Sequence, residues 1–219
     1  MGFENIDLDQ VLNLFVLLLI GMGPKIALVP FLNVTSDMDG ERKKKVADVM
    51  VRTGMGVALF LVVLGGFLMH LLHFTPGAIQ VAGGIVLLLI GLKMVASSEE
   101  GKEEETEIEI DPERKAMEVA LYPLAVPYLL NPAGIAVLII ASGTIDSIAA
   151  GIIVVGLVLL VGIIDMLVFR NIDVVAKFMD QSRLVVTEAV FGVLFAAVAV
   201  QLFLEGLQDL GIVIMDVLH

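Results

Sequence analysis

The 219-residue chain is 58% apolar and 17% charged, where soluble domains have about 45–50% and about 25%, and its mean hydropathy is +1.00. A soluble domain of this size cannot hide that much apolar surface, which excludes a soluble enzyme and a disordered chain. The net charge of -12 repels phosphate backbones and excludes a nucleic-acid binder, and the absence of Cys excludes disulfides and thiolate-bound zinc.

A helix needs about 20 apolar residues to cross a bilayer core. Six stretches qualify: Val11–Asn33, Val46–Leu72, Pro76–Ala96, Val119–Ala141, Ile148–Phe169 and Leu184–Leu207. Polar residues, Gly and Pro mark the separators Thr35–Lys45, His73–Thr75, Ser97–Glu113, Ser142–Ser147 and Arg170–Arg183 as turns or loops. No basic region precedes the first apolar run, so that run reads as a span rather than a cleaved signal. With six spans, Arg42, Lys43, Lys44, Lys45, Arg52, Lys93, Lys102, Arg114, Lys115, Arg170, Lys177 and Arg183 all fall on one side. The opposite side receives no Lys or Arg, and Lys25 lies inside a span. The positive-inside rule makes the basic side cytoplasmic, with both termini outside a cytoplasmic (cell inner) membrane.

The acidic stretch Ser97–Glu113 reads as a solvated linker. It divides the chain into residues 1–96 and 114–219, each with three spans. Three is odd, so the second half inserts upside down relative to the first. The expected fold is an all-α membrane protein of six transmembrane helices, arranged as two inverted three-helix repeats.

The first span of each half is interrupted, at Ile20-Gly21-Met22-Gly23-Pro24-Lys25 and at Leu129-Leu130-Asn131-Pro132-Ala133-Gly134. Pro removes a backbone donor and clashes with the preceding turn, yet suits the first position of a new helix. Asn131 is a good N-cap for the helix opened by Pro132. Each break therefore starts a half-helix within the membrane, whose free N–H groups and positive end suit an anion. The half-helix that ends before it offers carbonyls to a cation or an ammonium group. Lipid satisfies none of these groups, so the breaks must face protein or a wet cavity. The expected solute-binding residues are Gly21, Gly23, Pro24, Lys25, Asn131, Pro132 and Gly134. The bland alternative is a pair of kinks that serve packing alone.

Lys25, Asp165 and Glu188 are ionisable residues inside spans at similar depth, and a buried charge there is costly unless paired or hydrated. A Lys25–Asp165 or Lys25–Glu188 pair would relieve that cost, which makes the two acids candidates for ion coupling; snorkelling to the interface is the alternative. His70 and His73 lack further ligands for a metal. Gly83-Gly84 in the third span and Gly192, Ala196, Ala197 and Ala199 in the sixth read as close helix packing. No nucleotide, triad or metalloprotease motif occurs, so neither an enzyme nor a cofactor is expected.

The ordered set of Gly23-Pro24, Thr35, Arg42-Lys43-Lys44-Lys45-Val46-Ala47, Ala82-Gly83-Gly84-Ile85, Gly91-Leu92-Lys93-Met94, Pro123-Leu124-Ala125-Val126-Pro127, Asn131-Pro132-Ala133-Gly134, Gly192, Ala199-Val200-Gln201-Leu202 and Gly206 resembles the MarC (SnatA) family of the LysE transporter superfamily. The resemblance implies secondary transport of small solutes, neutral amino acids such as glycine and alanine in characterised members, by alternating access. Proton or sodium coupling is open, as is a homo-oligomer; the implied partners are a small solute and the bilayer. The chain departs from the family at the first break. Gly23 stands where Asp or Asn is usual, Ile26 where Gly is usual, and Lys25 where an apolar residue is usual. An ion or metal channel or exporter, and a membrane scaffold, are the alternative readings.

Overall fold

A computed structural model describes residues 8–97, 112–145, 147–172, 174 and 181–212. Residues 98 to 111, which hold nearly all of the acidic linker, and the side chain of Glu188 lie outside the described set. The described chain is helical. α1 (Leu8–Met22) and α2 (Pro24–Val34) form the first span, followed by α3 (Gly40–Leu72) and α4 (Pro76–Ser97). α5 (Pro112–Val119) runs into a π-helical segment, Ala120–Leu129, which precedes α6 (Pro132–Thr144). α7 (Ile148–Arg170) and α8 (Gln181–Asp209) complete the order. Five stretches are long and apolar enough to cross a membrane: Leu8–Val34, Gly40–Leu72, Pro76–Ala96, Ile148–Arg170 and Ala189–Asp209. A sixth is the pair Ala116–Leu129 and Pro132–Gly143, bent by 69°.

Two expected boundaries move. α3 begins at Gly40 rather than Val46, because Asp39 caps it by accepting a hydrogen bond of 2.9 Å from the Arg42 N–H. Arg42 to Lys45 are therefore helical. At 33 residues α3 is about 50 Å long, longer than a hydrocarbon core of about 30 Å, which leaves room for these cations outside the core. The second change lies before the second break. The apolar run from Val119 to Leu129 is not a regular helix, since Pro123 and Pro127 donate no hydrogen bond and the backbone is extended at Tyr122 (φ -141°, ψ 127°) and Val126 (φ -137°, ψ 123°).

α6 packs among α1, α3 and α4; α7 lies against α3, α1 and α2; and the π-helical segment lies on α3 and α2. Two apolar clusters result. One, around Phe31, Val51, Leu124 and Phe169, lies toward the basic end, with the Phe31 and Phe169 rings 5.0 Å apart. The other, around Leu18, Met22, Leu138 and Val158, lies toward the opposite end.

α4 and α8 form the most extensive pair, and small residues explain it. A Cβ added to Gly77 would stand 2.7 Å from the Gly206 oxygen, one on Gly84 2.8 Å from the Ala199 oxygen, and one on Gly91 2.7 Å from the Gly192 oxygen. The helices are antiparallel and touch backbone to backbone at three levels, the geometry small residues permit in membranes. Gly84, Gly192 and Ala199 were expected at such a contact; Gly77, Gly91 and Gly206 complete it. Gly91→Ala is expected to force α4 and α8 apart at a cost of about 1–3 kcal/mol, read as a lower melting temperature in detergent. Gly156→Ala, with nothing within 4 Å of the new Cβ, should instead gain up to about 1 kcal/mol of helix propensity.

Candidate functional site

The two breaks meet. Gly21 and Gly134 face each other so closely that a Cβ on either would overlap the other's backbone. Asn131 ties them together. Its backbone N–H donates to the Gly21 carbonyl at 2.9 Å, and its side-chain amide donates to the Ile20 carbonyl at 2.8 Å. Its Oδ1 accepts from the Gly134 N–H at 3.0 Å, as an N-cap should. One residue thus satisfies orphan carbonyls at the end of α1 and an orphan amide at the start of α6. These donors and acceptors, expected to be open to a solute, are largely spent on each other here. Asn131 is 1% exposed, and Gly21, Gly23, Pro132 and Gly134 are buried around it, with Pro24 half-buried.

The first break is capped differently. Gly23 has no side chain to cap α2, and its own N–H closes back on the Leu19 carbonyl at 3.0 Å. An added Cβ there would overlap that same carbonyl. The departure from Asp or Asn therefore leaves the α2 start without the side-chain cap that α6 has.

The charged candidates are not brought together. Lys25 is exposed, while Asp165 is fully buried on α7 with no hydrogen-bond partner for either oxygen. Among the described residues they form no ion pair, so the expected Lys25–Asp165 pair is not formed: Lys25 lies on the outward side of α2. Whether Lys25 reaches Glu188 falls outside the described side chains. His70 and His73 are exposed, and among the described residues no group of three or more His, Cys, Asp or Glu is placed to hold a metal.

Beside the crossing lies a cavity of about 490 Å³. Ile20, whose carbonyl accepts from Asn131, and Ala133, beside Pro132, are among its lining residues. Its polar lining comes from Gln10 of α1, Gln80 of α4, and Gln201 and Glu205 of α8. Gln201 Nε2 donates to Glu205 Oε1 at 2.8 Å, whereas the buried Gln80 Oε1 has no partner among the described groups. The volume suits a small molecule, and an apolar wall with a few polar groups is the usual make-up of a ligand site. Gln80 and Glu205 were not foreseen, although each is a polar residue inside an apolar span and therefore a functional signal in a membrane. A wider groove of about 770 Å³ runs along α7 from Ile145 to Leu159. It touches neither break and carries only Ser147 as a polar side chain.

Helices long enough to span a bilayer, one span sharply broken at Asn131, define a multi-pass integral membrane protein. The chain belongs to the MarC family of integral membrane proteins, whose family model matches residues 8–210. It is 27% identical to a UPF0056 membrane protein of Methanocaldococcus jannaschii, over 85% of this chain and 90% of the relative. It is 24% identical to one of Pyrococcus abyssi, over 91% of this chain and 96% of the relative. The UPF0056 inner membrane protein MarC of Escherichia coli O157:H7 is 27% identical over 64% of this chain and 65% of the relative. No solved structure matches the chain significantly.

Proposed function

We propose that the protein is a secondary transporter that moves small neutral amino acids or similar metabolites across the cytoplasmic (inner) membrane by alternating access. The observation that carries this is the cavity lined in part by Ile20 and Ala133, residues of the two helix breaks that cross beside it. Its acceptors, Glu205 and the unpartnered Gln80 oxygen, suit the ammonium end of a zwitterion, while its apolar wall tolerates a short side chain. The cavity lies toward the end opposite Arg42 to Lys45, which the positive-inside rule makes the external face.

Packing supports the inverted-repeat reading. Exchange the halves, so that α1 with α2 replaces the π-helical segment with α6, α3 replaces α7 and α4 replaces α8. The α1–α6 contact then becomes that of the π-helical segment with α2; α3–α6 becomes α7–α2; and α4–α6 becomes α8–α2. α3–α7 and α4–α8 map onto themselves. Two repeats related by an axis in the membrane plane produce this closure, and rocking one against the other at the shared crossing would switch access.

Proteoliposomes should exchange labelled glycine or alanine against an internal pool. Glu205→Gln removes the charge that faces the ammonium group, and a charge-assisted hydrogen bond contributes about 1.5–3 kcal/mol, so half-saturation should rise about tenfold or more. Wild-type vesicles inert to a full amino-acid panel under pH and sodium gradients would dismiss the transport reading.

A further inference from the structure

Thr35, Asn131 and Asp165 are the fully buried polar or charged residues among those described. The first two are satisfied: the Thr35 hydroxyl donates to the Phe31 carbonyl at 2.7 Å, and Asn131 bonds across the breaks. Asp165 alone of the three has both side-chain oxygens unpartnered. It sits where α7 packs on α3 and α2, one turn from Phe169, whose ring meets Phe31 of α2.

Among the described residues no charge facing it compensates. The Arg170–Asp48 pair at 3.2 Å and the contact of Met55 with Gly162 bracket Asp165, so α3 opposes it with the stretch from 49 to 54. The ionisable residue there is Arg52, which is exposed, and Asp48 is engaged with Arg170. On α2 the charged residue is Lys25, also exposed; on α1 it is Asp9, near the far end of the bundle. None forms a described ion pair with Asp165.

An ionised carboxylate left this way in a membrane interior is costly, so its charge must be met by something it binds. A metal ion needs several oxygen ligands, and no described donor or acceptor is within hydrogen-bond reach of this carboxylate. A proton needs one oxygen. We propose that Asp165 is a proton-binding residue of the membrane interior, loaded when α7 is closed on α2 and α3 and unloaded when that contact opens. Resting on the transport reading, this gives the cycle its coupling ion, with Asp165 acting through helix packing rather than by touching the solute.

The chemical test does not depend on transport. Dicyclohexylcarbodiimide reacts with protonated carboxyls in apolar surroundings. The acid proton passes to a carbodiimide nitrogen as the carboxyl oxygen bonds the central carbon, and rearrangement leaves the whole reagent as an N-acylurea. Mass spectrometry of the full-length protein in lipid should find the adduct on Asp165, falling away as the pH is raised, and lost in Asp165→Asn. Infrared spectra should show a carboxylic-acid carbonyl band that the same variant removes. Finding neither the adduct nor the band would overturn the proposal. In proteoliposomes, Asp165→Asn should still exchange alanine but lose accumulation driven by a pH gradient; accumulation equal to wild type would also overturn it. If wild type moves no amino acid, transport fails as a reading, and the labelling and the infrared band still decide the proton.

Discussion

Gly134→Ala is expected to be among the most damaging small changes in this protein. The new Cβ would overlap the Gly21 carbonyl, and the reciprocal Gly21→Ala would drive its Cβ into the Gly134 backbone. Flexible side chains can swing away from an intruding methyl; these neighbours are main chain, fixed by the Asn131 hydrogen bonds at 2.8 Å and 2.9 Å. The helices must separate where both spans are broken, and no water in the bilayer core takes over the freed carbonyls. Overpacking commonly costs 1–3 kcal/mol and sometimes more; with main chain on both sides, at least about 3 kcal/mol is expected here. Thermal unfolding in detergent measures it, and both variants should also lose solute exchange. Either variant melting and transporting like wild type would show that the crossing is looser than described.

Asn131→Ala should follow closely, for a different reason. Nothing clashes, but the Ile20 carbonyl and the Gly134 N–H lose their side-chain partners at a site that is 1% exposed. Each of these two buried groups left unsatisfied costs about 1–3 kcal/mol, so about 2–6 kcal/mol is expected in all. Asn131→Asp separates the two roles. It keeps an oxygen for the Gly134 N–H and gives up the donor to Ile20, facing that carbonyl with a negative charge instead. If the donor role dominates, Asp should fare no better than Ala in melting temperature; if capping dominates, it should recover most of the loss.

These residues were legible in the sequence because Pro leaves a chemical mark that apolar composition cannot hide. Pro24 and Pro132 announced the half-helices, and Asn131 announced its cap. What a cap does with its remaining hydrogen-bonding capacity depends on a partner 111 residues away, and no local pattern encodes that. The segment from Ala120 to Leu129 misled because every residue in it except the two prolines is apolar and fits a span; only the missing N–H groups argue against a regular helix. Lys25 lies on the exposed side of α2 and not against Asp165, since spacing along one short helix does not say which neighbours cover it. The cavity was illegible because Gln80 and Glu205 come from helices in different halves, and each alone is one polar residue in an apolar run.

The seam between α4 and α8 has a consequence for how such chains can drift. Its contacts on α4 fall at 77, 84 and 91 and on α8 at 206, 199 and 192, so successive contacts are seven residues apart on both helices. Inserting or deleting a single residue between two of these positions rotates everything beyond it by about 100° and turns a bulky side chain toward the other backbone. Length changes inside either helix are therefore tolerated in blocks of seven, or when the partner helix changes to match. Outside the seam, in the connections at either end, gaps should accumulate freely among relatives.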